Sequence, residues 1–370
     1  MSVTRIAQVC PRYRPHIGGV ETVVEEISRR LAARGHDVTV VTTDPSGRTR
    51  QSPPPQSPTH QSPTLPREET IDGVRVIRFP SFAPGDAYYL SLPLRGYLRK
   101  QSYDVVHAHG YHALPALFAA SCQAGRLVFN PYYHGKGHTP LRNVLLKAYR
   151  IAGAGIFRRA DAVVCNSEFE RGLVCRDFPA HCGKARVISP GIDRKEFEGL
   201  APFPKDEKVL LCAGRLEEYK GVQYAVQALR HLPGYRLVVI GRGPYKAELQ
   251  RQAENAGLAG RVMFLEGLAR KDLLRWYATA DVFVMLSSFE SFGITVAEAL
   301  ATGTPCVVAK ASSLAEFVDG GLCRGIDLPI SPGALAGEVL KAARVPYTKE
   351  IPGWDEVAGR MLAVYSGANA

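Results

Sequence analysis

The sequence lacks the long apolar segment that a membrane-spanning helix needs. No apolar run reaches the roughly eighteen residues that would predict a span. The N-terminus enters directly into TRIAQVC, without the charged, apolar and small-residue sections of a signal peptide. We therefore expect a cytoplasmic protein that meets a membrane, if at all, only at its cytoplasmic face.

Closely spaced cysteines are missing as well. The chain has eight cysteines, none of them in a C-x-x-C pair, and most lie in apolar runs. A C-x-x-C pair would favour a zinc or redox site, whereas scattered cysteines in apolar runs are typical of reduced thiols in the cytosol. The pattern therefore predicts eight buried, reduced cysteines.

The dinucleotide fingerprint G-x-G-x-x-G is absent from the opening of the chain. That opening predicts a strand (Arg5–Cys10), a loop (Pro11–Gly19), a helix (Val20–Arg34) and a second strand (Val38–Thr42). This order indicates a Rossmann-like half. Asp44 would be the acidic residue of a NAD-dependent dehydrogenase, but the missing fingerprint argues against that class of enzyme.

Positive charge is abundant but confined to one half of the chain. The net charge is +11, and residues 1–190 hold 25 Lys and Arg against 14 Asp and Glu, whereas the remainder holds 21 of each. This asymmetry favours an anionic partner for the first half, such as a membrane surface, a lipid phosphate or a nucleic acid. Interleaved aromatic residues, which would form a stacking platform for nucleic acid, are lacking there.

A length of 370 residues is comfortable for two domains. Strand, helix and turn signals divide the chain into a first Rossmann-like domain (1–189), a linker (190–207), a second Rossmann-like domain (208–350) and a final amphipathic helix (351–370). Residues 45–70 are rich in Pro, Ser and Gln, which predicts a flexible surface loop.

The most informative stretch is DVFVMLSSFESFGITVAEALATGTPCVVA. Asp281–Leu286 and Cys306–Ala309 are apolar runs without alternation, which indicates strands buried on both faces. The polar segment Ser287–Phe292 predicts a loop, and Gly293–Thr302 predicts a helix. Such a βαβ unit places its loop at the carboxyl end of a parallel sheet, where α/β folds bind ligands.

Two carboxylates mark this unit: Glu290 lies in the loop and Glu298 in the helix. A carboxylate before a helix N-terminus and another one or two turns later could accept hydrogen bonds from sugar or ribose hydroxyls. The alternative is that Glu290 caps the helix and Glu298 faces solvent. The apolar neighbours of Glu298 weaken that alternative, because a carboxylate on a packed helix needs partners.

Glu290 and Glu298, followed by Gly303, Pro305 and the Val307-Val308 strand, resemble the E-x7-E signature of retaining GT4 glycosyltransferases. The resemblance implies a GT-B fold, in which two Rossmann-like β/α/β domains face each other across a cleft. It implies that residues 1–189 form the acceptor-side domain and residues 208–350 the nucleotide-sugar donor domain. Residues 190–207 would then be the hinge, and the helix at 351–370 would pack back on the first domain. The resemblance also implies transfer of a hexose from a GDP- or UDP-sugar, with retention, to a glycan or a polyprenyl- or other lipid-linked acceptor in cell-surface glycan or glycolipid synthesis. No metal and no cofactor is expected.

The segment GRLEEYKG, residues 214–221, resembles the same family's G-R-L…K-G motif. Arg215 and Lys220 lie in a loop between a predicted strand and a predicted helix. Two cations at a helix N-terminus can clamp a diphosphate by chemistry alone. Two solvated loop cations are the alternative.

Further roles follow from the resemblance, residue by residue. The catalytic set is Arg215, Lys220, Glu290 and His134, with His138 as the second choice for the histidine. Donor contacts fall on Gly18, Gly19, Leu268, Phe292, Gly293, Ile294 and Glu298. The acceptor side is assigned to Arg12, Tyr13 and His109. No carboxylate cluster complements the histidines near His109, so a metal site is not expected there.

The chain departs from the family pattern at residues 310–317, KASSLAEF, where a Gly-Gly-x-Pro-Glu segment is usual. Glu316 keeps the acid, whereas the glycines and the proline are missing. Two other functions remain open at this point: a sugar-nucleotide 2-epimerase of the same fold, and a non-catalytic basic protein that binds nucleotides or nucleic acid. The basic predicted helix 140–159 is either a core helix or part of a surface for an anionic membrane.

Overall fold

The computed structural model describes residues 3–44, 65–84, 87–135, 140–342 and 351–368, with only the backbone at 140–148 and 152. The chain divides into two compact units. Unit 1 comprises Met1–Pro190 with Trp354–Ala370, and unit 2 comprises Gly191–Gly353.

Unit 1 is built on an eight-stranded sheet. Its strands are β1 (Arg5–Val9), β2 (Asp37–Asp44), β3 (Glu68–Ile71), β4 (Val74–Pro80), β5 (Ser102–His109), β6 (Gln123–Asn130), β7 (Ala162–Cys165) and β8 (Ala185–Val187). Its first helices are α1 (Gly19–Ala33), α2 (Leu92–Lys100), α3 (Leu114–Ala119), α4 (Pro140–Arg159) and α5 (Glu168–Asp177), and a 3-10 turn covers Pro179–Lys184.

The strand order in unit 1 is β3-β4-β2-β1-β5-β6-β7-β8. All neighbours are parallel except β3 and β4, which form an antiparallel pair. The order reverses direction between β1 and β5, so the carboxyl ends of these two strands form the switch point of the sheet. Residues 68–70, predicted as part of a loop, lie in β3 because Glu68 pairs with Ile77 of β4; residues 45–64 lie outside the described part of the chain.

Unit 2 is built on a six-stranded, fully parallel sheet. Its strands are β9 (Lys208–Ala213), β10 (Tyr235–Ile240), β11 (Val262–Leu265), β12 (Val282–Met285), β13 (Cys306–Ala309) and β14 (Arg324–Ile326). Its helices are α6 (Val222–Ala228), α7 (Lys246–Asn255), α8 (Arg270–Thr279), α9 (Ile294–Ala301), α10 (Leu314–Asp319) and α11 (Pro332–Lys341), with 3-10 turns at Arg194–Phe197, Glu218–Lys220, Leu229–His231 and Ala259–Arg261. The order β11-β10-β9-β12-β13-β14 is that of a Rossmann sheet, with its switch point between β9 and β12.

The apolar run of β12 is buried on both faces, as its sequence predicts. Val282 and Val284 pack into the cluster on one side of the sheet, and Phe283 and Met285 pack into the cluster on the other. All four side chains are at most 8% exposed. β12 is apolar at every position because helices cover both faces of the sheet and exclude water from its side chains.

The last helix, α12 (Trp354–Ser366), belongs to unit 1 and packs against α1. Its Tyr365 hydroxyl accepts a hydrogen bond from Gln8 Nε2 at 3.0 Å in the middle of the unit 1 sheet. Trp354, at the start of the helix, is buried.

Residues 198–207 pack against α8 of unit 2. Phe203 donates its backbone N–H to Thr279 Oγ1 at 2.8 Å, and its ring lies 4.9 Å from that of Trp276. The Arg275 guanidinium covers the same Phe203 ring at 3.8 Å. The aromatic and cation–π contacts of Phe203 therefore fix residues 198–207 to α8.

Local contacts fix the ends of three helices. α7 begins at Lys246, after its N-cap residue Tyr245, whose N–H donates to Leu216 O at 3.0 Å and whose carbonyl accepts from Leu249 N at 3.1 Å. α6 ends at Ala228 and continues as the 3-10 turn Leu229–His231. Ser167 caps α5, since its hydroxyl accepts from Glu170 N at 3.1 Å.

The expectation of eight reduced cysteines is wrong for two of them. Cys175 and Cys182 form a disulfide, with their Cα atoms 4.6 Å apart. Cys175 lies near the end of α5, and the 3-10 turn at Pro179–Lys184 folds the chain back so that Cys182 meets it. The other six are free, and five of these are buried. Within the described residues, no helix is both long enough and apolar enough to cross a bilayer.

Candidate active site

At the switch point of the unit 2 sheet, backbone hydrogen bonds join the segments that follow neighbouring strands. Gly214, just after β9, donates to Ile240 O at 2.9 Å, and Leu216 donates to Arg242 O at 2.8 Å. Gly241, just after β10, donates to Leu265 O at 2.9 Å. Three strand ends are thus joined by backbone hydrogen bonds, which fixes the positions of the loops that follow them.

Glycine is required where these loops approach each other. Gly241 has φ +150°, and a Cβ atom there would lie 1.8 Å from Gly214 O. A Cβ atom on Gly221, which has φ +74°, would lie 2.3 Å from Leu286 O. These glycines allow the loop after β9 to pack directly on the loops after β10 and β12.

Lys220 is placed by this packing. It ends the 3-10 turn that precedes α6, and its neighbour Tyr219 accepts a backbone hydrogen bond from Ser288 N at 2.9 Å. The Lys220 ammonium donates to Glu290 Oε1 at 2.6 Å and lies 5.3 Å from the centre of the Tyr219 ring. The predicted lysine and the predicted loop carboxylate are therefore direct partners, although 70 residues separate them.

Electrostatics keep Lys220 charged. Burial lowers the pKa of Lys220, but the Glu290 carboxylate more than offsets it, so the pKa lies above its ordinary value. The Lys220 side chain is only 17% exposed and that of Glu290 15%. A fixed cation in a partly desolvated site interacts strongly with an anionic ligand.

Arg215 and Lys220 line one pocket that opens to solvent. The Arg215 guanidinium is half exposed and donates to Glu217 Oε1 at 3.1 Å, an exposed ion pair of the weak kind. The pocket is lined by Cys212, Ala213, Gly214, Arg215, Leu216, Lys220, Val222, Val284, Met285, Leu286 and Ser287. The structure thus brings the two predicted cations together at the carboxyl ends of β9 and β12.

The helix α9 begins where the sequence predicts. Gly293 is its N-cap residue with φ +108°, and Ile294 is its first helical residue. Glu290 does not cap it, since no side chain caps this end and the Glu290 carboxylate points to Lys220. Phe292 packs against Phe317 at a ring distance of 5.5 Å, and Leu268 packs on the same side of the sheet.

Glu298 is buried and already has a partner that the sequence did not indicate. Arg270 Nη1 donates to Glu298 Oε1 at 2.5 Å and Arg270 Nη2 donates to Glu196 Oε2 at 2.8 Å. Burial raises the pKa of Glu298 above its ordinary value, although Arg270 and the Tyr277 hydroxyl offset part of that rise. The solvent-facing alternative for Glu298 is therefore wrong, because only 5% of the residue is exposed.

In unit 1, the predicted glycine pair and Arg12 lie after β1, at the switch point of that sheet. Gly18 is the N-cap residue of α1 in extended conformation, and Gly19 is the first helical residue. Arg12 Nε donates to Glu21 Oε1 at 2.8 Å, and Glu21 is buried. A Cβ atom on Gly18 would lie 2.4 Å from that carboxylate, so glycine leaves room for the ion pair. Tyr13 is also buried.

His109, at the end of β5, lies in an internal hydrogen-bond network. Its Nε2 is 2.8 Å from Gln8 Oε1, and its ring lies 4.1 Å from that of His107. His107 Nδ1 is 2.8 Å from the Tyr365 hydroxyl. Burial lowers the pKa of His107 to about 3 and that of His109 well below its ordinary value. His109 is fully buried. Its contact with an acceptor stays a prediction.

His134 follows β6 and is partly exposed, with its ring stacked on His112 at 5.2 Å. His138, the second choice, lies outside the described residues. The loop of His134 is held by Glu170, whose carboxylate accepts from Tyr133 N at 2.6 Å and from the backbone and side chain of Asn166 at 2.7 and 2.8 Å. This buried carboxylate was not predicted as a site residue.

The Glu170 carboxylate is expected to make the stability of the protein depend on pH. Burial raises the pKa of Glu170 to about 7, although the amide donors of Asn166 and Tyr133 oppose the rise. A raised native pKa means that the native state holds the proton more firmly than the unfolded chain. Between about pH 4.5 and 7, the free energy of unfolding should therefore fall with rising pH, by up to about 3 kcal/mol.

Urea denaturation across this pH range, for the native protein and for Glu170→Gln, would measure that contribution as the difference between the two. Glu168→Gln, in the same turn of α5 but with an exposed side chain, is the matched control. A pH-independent difference between the native protein and Glu170→Gln would contradict the prediction.

Three residues that the sequence did not single out thus hold predicted site residues in place. Glu21 pairs with Arg12, Glu170 accepts from the backbone of the residue before His134, and Arg270 pairs with Glu298. Each forms its contact with a residue that folding alone brings near, 28 positions away for Arg270 and 37 for Glu170 and Tyr133. A buried acid on an apolar helix, such as Glu298, signals that some partner exists but not which one.

Both halves of the chain match known family models. "Glycosyltransferase Family 4" covers residues 17–196 and "Glycosyl transferases group 1" covers residues 193–342. A D-inositol 3-phosphate glycosyltransferase from Xylanimonas cellulosilytica is 30% identical over 407 residues, which cover 95% of this chain and 92% of that protein.

Solved structures show the same fold. Sucrose-phosphate synthase from Thermosynechococcus elongatus superposes with a TM-score of 0.78 at 21% identity, over 98% of both chains. HepE from Anabaena, in complex with UDP and glucose, superposes with a TM-score of 0.73 at 17% identity, over 98% of this chain and 100% of its own. The predicted GT-B architecture of two Rossmann-like domains is confirmed, and the chain belongs to the GT4-type glycosyltransferases.

Proposed function

We propose that the protein is a retaining hexosyltransferase that takes its sugar from a UDP- or GDP-hexose without a metal ion and passes it to a glycan or lipid-linked acceptor. The observation that carries the proposal is the pairing of Arg215 and Lys220 in one pocket at the switch point of unit 2. That is the edge at which Rossmann sheets bind nucleotides.

The chemistry follows from where charge develops. When the bond between the anomeric carbon and the phosphate oxygen breaks, its electron pair stays on the leaving diphosphate. Lys220, kept charged by Glu290, and Arg215 would stabilise that charge from fixed positions. The acceptor hydroxyl would attack from the face that the phosphate leaves, and its proton would pass to a phosphate oxygen.

The remaining roles extend the resemblance to this geometry. Glu290 would hold the donor sugar while it accepts from Lys220, and Glu298 would share its carboxylate between Arg270 and the ribose hydroxyls. The backbone at Phe292, Gly293 and Ile294 would approach the diphosphate, with Leu268 beside the base. By the same resemblance, His134 is proposed to act on the donor sugar and Gly18 and Gly19 on the diphosphate, while Arg12, Tyr13 and His109 are proposed to act on the acceptor.

The donor nucleotide can be identified by its effect on thermal stability. We expect one nucleoside diphosphate among UDP, GDP and ADP to raise Tm by several degrees, because a ligand at 100 times its Kd adds about 2.7 kcal/mol. UDP is the first to test, since HepE was solved with UDP and glucose. NAD serves as the negative control.

Loss of the shift in Lys220→Ala would assign it to the cation pair. A shift with NAD alone, or none with any nucleotide in a protein that also fails to transfer sugar, would contradict the proposed donor site.

The acceptor is proposed to be anionic. Residues 1–190 carry the whole excess of positive charge, and the similar glycosyltransferase from Xylanimonas acts, by its name, on a phosphorylated inositol. A lipid-linked phosphate at the cytoplasmic face of a membrane would offer the same chemistry to a basic domain.

We therefore expect the 370-residue protein to sediment with vesicles that contain phosphatidylglycerol, and to be released by high salt, because exposed charges are screened. Vesicles of phosphatidylcholine alone are the control. Equal binding to both vesicle types, or binding that salt does not reverse, would contradict an electrostatic contact with the membrane.

A further inference from the structure

The segment between β13 and α10 has an unusual backbone for its sequence. Ser312 adopts φ +54°, in the left-handed region that favours glycine, and Ser313 precedes the first residue of α10. A side chain other than glycine persists there only when its surroundings hold it. These serines stand where the family resemblance leads one to expect two glycines.

Both serine hydroxyls bond to the backbone of the Glu290 loop. Ser312 Oγ accepts a hydrogen bond from Glu290 N at 2.9 Å and donates to Ala311 O at 2.6 Å. Ser313 Oγ lies 3.0 Å from both Glu290 O and Phe292 O, to which it donates. The N–H and the carbonyl of Glu290 are therefore each held by a serine side chain from the neighbouring loop.

These hydroxyls are committed within the protein. A hydroxyl carries one hydrogen; that of Ser312 is given to Ala311 O, and that of Ser313 is shared by two loop carbonyls. Ser313 is also buried, with 1% of its surface exposed. Neither hydroxyl has a hydrogen left to donate to a bound donor, so these hydroxyls act on a ligand through the loop of Glu290 and Phe292 that they hold.

We propose that Ser312 and Ser313 are positioning residues that hold the Glu290 backbone so that its carboxylate meets Lys220. The inference rests on the proposed function, in which this pair contacts the donor. It also explains why a serine adopts the left-handed conformation at position 312. Glycine would adopt that conformation more easily but would lack the hydroxyl that accepts from Glu290 N.

Kinetics of Ser312→Gly and Ser313→Ala test the proposal. We expect kcat to fall about 10- to 100-fold while the donor KM changes less than about 3-fold, because a small displacement of a catalytic group lowers turnover. If residue 312 only had to adopt its backbone conformation, glycine would retain or improve turnover. Ser331→Ala is the matched control, at the exposed N-cap residue of α11, whose hydroxyl makes no capping hydrogen bond.

A second measurement does not depend on catalysis. The reactivity of the Lys220 amine toward an acylating reagent near neutral pH, read by mass spectrometry, reports on its contact with Glu290. The charged or titratable groups that face Lys220 are Glu290, Tyr219 and Arg215. When the carboxylate moves away, burial remains and the pKa of Lys220 falls. We therefore expect faster modification in both serine variants, as in Glu290→Gln, with exposed Lys271 as the internal reference.

Unchanged Lys220 reactivity in Ser312→Gly, alongside increased reactivity in Glu290→Gln, would overturn the proposal, as would native kcat in Ser312→Gly. If Ser313→Ala does not fold, Ser312→Gly alone decides. If the native protein transfers no sugar from any donor, the proposed function fails, and the Lys220 reactivity still decides whether the serines position Glu290.

Discussion

Replacing Lys220 with alanine is expected to lower kcat by about 10²- to 10³-fold at saturating donor, the range measured when one fixed donor to a developing anion is removed. The ammonium lies in the pocket with Arg215 and is kept charged by Glu290 at 2.6 Å. Its loss removes the less exposed of the two cations. Steady-state transfer from the donor identified by thermal shift is the measurement.

The variant also leaves Glu290 without its partner, so stability must be followed alongside activity. Lys271→Ala, at an exposed lysine in the first turn of α8, controls for the loss of one positive charge from unit 2. The double variant Lys220→Ala/Glu290→Gln separates the unpaired carboxylate from the missing cation. Turnover of Lys220→Ala within a few-fold of native would show that Lys220 does not act on the leaving group.

Gly241→Ala is expected to destabilise unit 2 by more than about 4 kcal/mol, or to prevent it from folding. Two effects combine at this position: φ is +150°, and the new Cβ atom would lie 1.8 Å from Gly214 O. That oxygen belongs to a main chain that is itself held by the hydrogen bond from Gly214 N to Ile240 O. Neither loop can move away without breaking the backbone hydrogen bonds from Gly214 N to Ile240 O and from Gly241 N to Leu265 O.

Gly214→Ala separates the two effects. Gly214 has φ +149°, yet a Cβ atom there meets nothing within 4 Å. The conformational cost alone, about 1–3 kcal/mol, is therefore expected. Urea denaturation of both variants gives the comparison, and equal destabilisation would mean that the close approach of the two loops does not limit stability.

The sequence predicts the elements of this fold well where the pattern is strong. Unalternating apolar runs identify β12 and β13, and the cation-bearing loop and the loop of Glu290 fall at the strand ends where a parallel sheet requires them. The short helices α2 and α3, of nine and six residues, carry too little periodicity to be recognised.

Partnerships within the site could not be predicted in the same way. The sequence assigns both Lys220 and Glu290 to the catalytic set, but their contact depends on β9 and β12 being neighbours in the sheet. The disulfide between Cys175 and Cys182 likewise depends on the 3-10 turn at Pro179–Lys184, which the spacing of the cysteines does not predict. Residue types at strand ends can be predicted from local pattern, whereas their pairing is a property of strand order.

The two tryptophans of the chain fall in different units: Trp276 on α8 of unit 2, where it contacts Phe203, and Trp354 on α12 of unit 1. A variant that keeps only one of them therefore carries a fluorophore that reports on one unit alone. Coincident unfolding curves from the two single-tryptophan variants would identify one cooperative transition, and separate curves would identify two.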